Sequence, residues 1–318
     1  MLRVLAVALV VSIVSVPLIL VAQNPQPVFT LKRVGPNVWA AIDAFGGGSN
    51  AGFIVGDDGV AVVDTLSYAD AARQFLAAIR AQTTQPIRYV VDTHYHVDHV
   101  AGNGVFKETG ALVMAQRKVR CWIHSENEHL YGADLTPALK AMVNGLVPPT
   151  NIYDNPVDWN LGSRTVQLRN MPGHTGADTV VIVPAARVVF AGDLVWRNIA
   201  PNLVDASIRP WIATLNTLLS TYPDYTFVPG HGDVATAADV AAFRDYLVAL
   251  RDGVANGQKQ GLSGDALVAS VLPVLTATYR TWELSGARDN IVQTDADLRG
   301  NKRLPKTLPN RAACATPY

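Results

Sequence analysis

The chain has 318 residues, of which 49% are hydrophobic and 16% charged, enough to bury a substantial core as one large domain or two modest ones. Its 26 Lys and Arg balance 26 Asp and Glu, and no long basic stripe breaks that balance, so a nucleic-acid partner finds no electrostatic footprint. Internal repeats and low-complexity tracts are absent.

The chain opens on Met1-Leu2-Arg3, a short positive start, followed by an almost wholly apolar run over 4–22 that Pro17 interrupts. Val21-Ala22-Gln23 offers a cleavage region before the polar run Asn24-Pro25-Gln26-Pro27. Residues 1–22 therefore read as a secretory signal, which implies a periplasmic or secreted protein with no stable membrane partner once it is cleaved. An uncleaved anchor is the alternative, because the run approaches the length that spans a bilayer. Neither cysteine follows the apolar run, so an N-terminal lipid-modified Cys is excluded. Cys121 and Cys314 are expected as two unrelated thiols, one buried and one on a loose tail. Pairing in an oxidising compartment is the competing reading.

Short strands are expected at 38–45, 52–55 and 60–64, separated by Gly46-Gly47-Gly48 and Asp57-Asp58-Gly59. Ala71, Ala72, Phe75, Leu76 and Ile79 recur at helical spacing, which predicts a helix over 68–82. Pro86 ends that pattern, and 87–91 makes a compact strand whose exit carries a histidine cluster. Further strands are expected at 111–115, 165–168, 179–183, 188–191 and 226–228, and helices at 211–221, 237–250 and 265–279. The stretch 117–160, with Pro148-Pro149 and several aromatics, reads as a long irregular loop of the kind that walls or lids a site. Tyr153, Trp122 and Trp159 within it are candidates for a pocket lining or for local core. Residues 23–298 are taken as the folded domain and 299–318 as a polar, poorly ordered tail. Strands alternating with helices argue for the α/β class.

The chemistry concentrates in Thr93-His94-Tyr95-His96-Val97-Asp98-His99. Imidazole nitrogen and carboxylate oxygen are ligands that suit zinc and related divalent ions. Donors this close on a tight loop point in diverging directions, so two adjacent ions satisfy them better than one. Two sites need more ligands than this loop supplies, and other strand ends carry candidates. His174 lies in Met171-Pro172-Gly173-His174-Thr175, Asp193 ends Phe190-Ala191-Gly192-Asp193, and His231 lies in Pro229-Gly230-His231-Gly232. Strand ends hold ligands to the tolerance such sites require. His124 and His129 fit no such pattern and are expected on exposed loops.

The ordered set His-x-His-x-Asp-His, Gly-His-Thr, Ala-Gly-Asp and Pro-Gly-His-Gly resembles the metallo-β-lactamase superfamily, over about 38–231 of the chain. The apolar strand 60–64 ending in Asp64 resembles that family's first motif. The resemblance implies a four-layer αβ/βα sandwich with its metals at one edge between two sheets. It implies that His94, His96 and His174 hold one ion, that Asp98, His99 and His231 hold a second, and that Asp193 bridges them. Zinc is the default ion, with iron and manganese as alternatives. Asp64 is then expected to support the ligand loop by hydrogen bonding. A pair of cations lowers the pKa of water to near neutral, and the hydroxide attacks a carbonyl or, less often, a phosphorus or sulfur centre. Asp98 is expected to orient that hydroxide and pass its proton to the leaving group.

A carboxylate at 193 resembles glyoxalase II and lactonase-like hydrolases, whereas the antibiotic-destroying members place Cys or Ser there. An ester, lactone, thioester or amide-like small molecule is therefore the expected substrate, with β-lactam hydrolysis as a promiscuous alternative. Trp196 and Arg197 follow the bridging position, and could meet an apolar group and a substrate carboxylate. Three other classes compete. A mononuclear iron sulfur dioxygenase is opposed by the survival of all seven donors. A non-catalytic metal-binding periplasmic protein is opposed by an intact Asp98, and a nuclease by the neutral charge.

Overall fold

The computed structural model describes residues 28–46 and 48–305. The expected signal at 1–22 and the end of the chain from 306, Cys314 included, lie outside the described residues. Seven strands form the first sheet: β1 (Phe29–Gly35), β2 (Val38–Asp43), β3 (Ala51–Val55), β4 (Val60–Val63), β5 (Ile87–Val91), β6 (Leu112–Gln116) and β7 (Asn151–Tyr153), in that spatial order. The first four run antiparallel, and β4 through β7 pair in parallel. The second sheet has five strands: β8 (Val157–Leu161), β9 (Arg164–Asn170), β10 (Thr179–Val183), β11 (Val188–Trp196) and β12 (Thr226–His231). Its spatial order is β12-β11-β10-β9-β8. Only β11 and β12 pair in parallel there.

Period-two alternation sorts the strand side chains into layers. Val60, Val62 and Val90 join the cluster under α1 (Ala69–Gln82) and α3 (Asn103–Lys107), with Phe75 and Phe106 at its centre. Their neighbours Ala61, Val63 and Val91 point the other way, into the space between the sheets, where they meet Val181, Val183, Val188 and Phe190. Val180, Ile182, Val189 and Ala191 face outward again. There they pack under α7 (Ile208–Thr221), α8 (Ala237–Lys259), α9 (Gly264–Thr278) and α10 (Ala287–Leu298). Burial on both faces explains why these strands are uninterrupted apolar runs. The result is the expected αβ/βα sandwich, each fully buried large apolar side chain contributing about 1.5–3 kcal/mol.

The stretch 117–160 is not an irregular loop. It holds α4 (Arg117–Trp122), α5 (Ser125–Tyr131), a 3-10 turn, α6 (Pro137–Asn144), β7 and β8. Helices of six to eight residues are too short to display an amphipathic period, and their signals are the ends instead. The Gln116 side chain accepts from Lys118 N, and Thr136 caps a helix with Pro137 in its first turn. Trp122 lies in the core beneath them, Trp159 packs on Tyr89, and the Tyr153 hydroxyl bonds Thr179. Strand β1 escaped the sequence reading because it is a half-exposed edge. Helix α10 escaped it because Asn290 and Thr294 share its buried face with Ala287 and Ile291.

Two further expectations change. Cys121 is disulfide-bonded rather than an unrelated thiol. Residues 299–305 are not a loose tail, since Lys302 is buried and Arg303 pairs with buried Glu126. Among the described residues, no helix is long and apolar enough to cross a membrane.

Candidate metal centre

Strand β5 ends at Val91, and residues 92–96 lead into α2 (Val97–Val100), a single turn that carries Asp98 and His99. Asn127 of α5 pins this loop: its Oδ1 accepts from Val97 N at 2.9 Å, and its Nδ2 donates to Tyr95 O at 2.7 Å. His174 sits in the turn between β9 and β10. Asp178 closes that turn, accepting from Gly173 N and Thr175 N, both at 2.8 Å. Asp193 lies within β11, which runs further than the sequence suggested, and its pairing register with β12 shifts on either side of Gly192. Gly192 takes φ +51° there with Thr93 close by, a conformation costly to other residues. His231 ends β12. Asn50 holds that end, donating to Pro229 O at 2.9 Å and Gly232 O at 2.7 Å. Two backbone bonds cross between the sheets beside the site, Asn50 N to Gly230 O and Thr179 N to Thr93 O, at 2.7 and 2.8 Å.

These elements bring all seven candidate donors together in two adjacent groups. His94, His96, His174 and Asp193 form one, and Asp98, His99 and His231 the other, each with its donor atoms within 4.8 Å of one another. In the first group, His174 Nε2 lies 2.9 Å from His96 Nδ1 and 3.2 Å from Asp193 Oδ2, while His94 Nε2 lies 3.8 Å from the same oxygen. In the second, Asp98 Oδ2 lies 3.4 Å from His99 Nε2 and 3.3 Å from His231 Nε2. Asp193 Oδ1 approaches those two nitrogens at 3.0 and 3.4 Å. Ligands about 2.0–2.1 Å from a tetrahedral ion stand roughly 3.3 Å apart, so these spacings suit a cation at each focus.

The far sides of the His96, His99 and His231 rings are held by protein groups, whereas His174 Nδ1 is buried without a hydrogen-bond partner. Asp64 Oδ2 meets His99 Nδ1 at 2.8 Å and the Thr93 hydroxyl at 2.8 Å, while its Oδ1 accepts Thr93 N at 2.7 Å. Asp205 Oδ2 accepts from Tyr95 OH at 2.8 Å and lies 3.2 Å from His96 Nε2. His231 Nδ1 faces Gly48 O at 3.1 Å. The inward atoms differ: Nε2 of His94, His99 and His231, and Asp193 Oδ1, are buried without hydrogen-bond partners. Buried polar atoms are rarely left so, and this donor set fits divalent cations.

Electrostatics agree. Burial pushes His94 well below the imidazole range and His174 down to about 3, which keeps both rings neutral as ligands must be. Burial also acts on His231, but Asp193 and Asp98 outweigh it and raise its pKa to about 9. His99 is likewise raised, by Asp193, Asp98 and Asp64 against burial. Burial opposes ionisation of Asp193, yet the surrounding imidazoles hold it well below the carboxylate range. In the metal-free chain, protons on His99 and His231 thus stand in for cationic charge.

A cavity of about 550 Å³ opens beside the second group, walled by Trp196, His231, Leu203, Val204, Val292 and Asp289 among others. Trp196 stacks on His231 with centroids 3.8 Å apart. Arg197 does not line this cavity. Its guanidinium bonds Val234 O at 2.8 Å and Asp239 at 3.2 Å, which commits it to the start of α8 rather than to a substrate carboxylate. His124 and His129 belong to neither donor group. Sequence reasoning missed Asp178, Asp205, Asn50 and Asn127. A Thr-x-x-Asp turn signal marks Asp178, whereas a lone Asp205 in a loop carries none.

The sequence model of the Metallo-beta-lactamase superfamily matches residues 44–231. The linear primary-alkylsulfatase of Pseudomonas sp. (strain ATCC 19151) is 25% identical over 263 residues, covering 70% of this chain and 50% of that protein. The chain thus spans about half the length of that curated relative. A metallo-beta-lactamase from Pontibacter korlensis superposes with a TM-score of 0.56 at 19% identity, over 69% of this chain and 99% of that one. With a family match over more than half its length, a shared fold and a clustered His/Asp donor set, the chain belongs to the metallo-beta-lactamase superfamily of metal-dependent hydrolases.

Proposed function

We propose that the chain is an exported hydrolase that holds two divalent cations and cleaves an ester, lactone, thioester or amide-like carbonyl compound. Zinc is the default metal, with iron and manganese as alternatives. The observation that carries this reading is Asp193, which turns one oxygen to each donor group amid buried imidazole nitrogens without hydrogen bonds. His94, His96 and His174 would hold one ion and Asp98, His99 and His231 the other, with Asp193 shared. Divalent cations bound there act as Lewis acids and bring the pKa of water to near neutral.

The protein's own groups supply the rest. Asp98 is the most exposed donor, its side chain 30% accessible, so it is the carboxylate best placed to meet a reacting group. It orients the nucleophile and carries its proton to the leaving atom. Trp196 and the apolar wall at Leu203, Val204 and Val292 bind the non-reacting part of the substrate and exclude water. Export rests on the apolar segment 4–22, and a disulfide at Cys121 suits an oxidising compartment.

A sulfate ester is the second reading, favoured by the alkylsulfatase relative and by an apolar wall that would accept an alkyl chain. The deciding experiment expresses the mature chain and quantifies metals per chain. It then screens lactones, aryl esters, thioesters, chromogenic β-lactams and alkyl sulfates with and without chelator. Chelator-sensitive turnover of a carbonyl substrate is expected. Turnover of sulfates alone overturns the first reading in favour of the second. One iron per chain points instead to the dioxygenase class, and bound metal with no turnover to a non-catalytic metal-binding protein.

A further inference from the structure

We infer that Lys302 is a positioning residue for the metal centre, acting through the loop that presents Asp205 to His96. That loop connects β11 to α7 and has no regular structure of its own. Something must fix it, because Asp205 is buried and meets both the Tyr95 hydroxyl and His96 Nε2. The Lys302 ammonium does so from a position about a hundred residues downstream. It donates to Leu203 O and, at 2.7 Å, to Ala206 O, the carbonyls that flank Asp205. Asp297 of α10 holds the exit of the same loop, accepting Ile208 N at 2.8 Å. Lys302 itself is fixed by its backbone N, which donates to Ala296 O at 3.1 Å.

The choice of lysine is informative. Its side chain is 7% exposed, and a buried ammonium persists only where it is hydrogen-bonded and compensated. Carbonyl dipoles and the nearby carboxylates of Asp205 and Asp297 supply that compensation. One Asp205 oxygen has no hydrogen-bond partner, so the lysine charge also offsets a carboxylate that is otherwise under-satisfied. A residue chosen only to fill space would take the Lys302 donor from Ala206 O and leave Leu203 O with Ala206 N at 3.2 Å.

The next residue reaches the opposite flank. Arg303 Nη1 lies 2.6 Å from Oε2 of buried Glu126, which precedes Asn127 on α5. Asn127 holds Tyr95 O and Val97 N, the atoms on either side of His96. Two consecutive residues therefore grip both supports of the His96 peptide, one through Asp205 and one through α5. The segment after α10 is part of the centre's framework, although it contributes no donor.

A double-substitution cycle on the full mature chain tests this. Metal affinity is measured by competition with a chromophoric chelator for wild type, Lys302→Met, Asp205→Asn and the double variant. Partners behind metal-bound histidines are worth about 10–100-fold in affinity. Asp205→Asn is expected in that range and Lys302→Met at about tenfold. The double variant should be no weaker than Asp205→Asn alone. Purely structural weakening would add in both backgrounds. Additive losses, or wild-type affinity in Lys302→Met, overturn the inference. Lys302→Gln, which retains a donor for one carbonyl, is the variant to read if Lys302→Met does not fold; unchanged affinity there is equally fatal. The readout is metal rather than turnover, so a wrong substrate class leaves it intact, whereas a wild type that binds no metal overturns both readings.

Discussion

Replacing Asp64 with Asn tests the second donor group without touching a candidate ligand. Three buried donors converge on Asp64: Thr93 N, the Thr93 hydroxyl and His99 Nδ1. Alanine would orphan all three at about 1–3 kcal/mol each, a loss comparable to the whole net stability of a domain. It would reveal only unfolding. Asparagine keeps the shape and also tolerates the left-handed backbone at φ +57°. Its single oxygen, however, cannot serve both sides. With that oxygen on Thr93 N, the amide NH₂ faces His99 Nδ1 and donates to it, which drives the ring proton to Nε2. His99 then presents N–H to the centre where a ligand lone pair is needed. The flipped amide sets a donor against Thr93 N–H at similar cost. We expect near wild-type secondary structure with metal affinity in the second group lowered about 10–100-fold, equivalent to roughly 1.4–2.7 kcal/mol. Chelator competition and metal analysis read the loss directly. Two tightly held metals in Asp64→Asn would refute the assignment of His99 Nε2 and the role given to Asp64.

Asp98→Asn should lower turnover by about 10²–10⁴-fold while the first donor group still retains its ion; wild-type turnover there removes Asp98 from the proton path. Metal uptake at pH 7 should release protons, because His99 and His231 are held protonated in the metal-free chain; calorimetry in buffers of different ionisation enthalpy counts them, and a count of zero contradicts the charge assignment. The metal-free chain should also lose stability in both directions. His231, raised to about 9, stabilises fully below its ordinary 6.5 and loses that contribution as pH climbs through 9. His174, depressed to about 3, costs stability as pH falls from 6.5 toward 3. Melting of chelator-treated protein across that range checks both limbs, and a flat alkaline limb rejects the His231 part. Gly230→Ala puts a Cβ 1.8 Å from Asp193 Oδ1 and 2.8 Å from Asp193 N and Gly192 C, so both the carboxylate and the β11 backbone must shift, lowering the melting temperature and costing metal as severely as removal of a ligand; full metal content would mean that Asp193 need not sit where it does.

Most of the sandwich was legible because a strand buried on both faces has no choice but to be an unbroken apolar run, as 179–183 and 188–191 are. Legibility failed where that signal is diluted. Strand β1 is mostly half-buried, and its burial alternates imperfectly. Helix α10 turns Asn290 toward the Tyr246 hydroxyl, a buried hydrogen bond that reads as polarity in sequence and as packing in space. The three helices between 117 and 144 are punctuated by caps rather than by period, so an argument from periodicity passes over them.

The site divides along a different line. Donors converge from short, recognisable words because each sits where the backbone is locally constrained: the loop and helical turn after β5, the turn between β9 and β10, the irregular stretch of β11 and the end of β12. The glycines that permit this at Asp193 and His231 (Gly192, Gly230) stand next to the donors themselves. The groups that orient the donors need only reach them through space. Asp64 is 35 positions from His99, Asp205 is 109 from His96, and Lys302 is 96 from Ala206. Nothing local requires an aspartate at 205 or a lysine at 302; the requirement arises only after the loop between β11 and α7 has been folded against Tyr95 and His96. Ligand identity is therefore a property of motifs, whereas ligand geometry is a property of the whole fold. Substitutions far from any motif, at 302 or 303, are where that distinction becomes measurable.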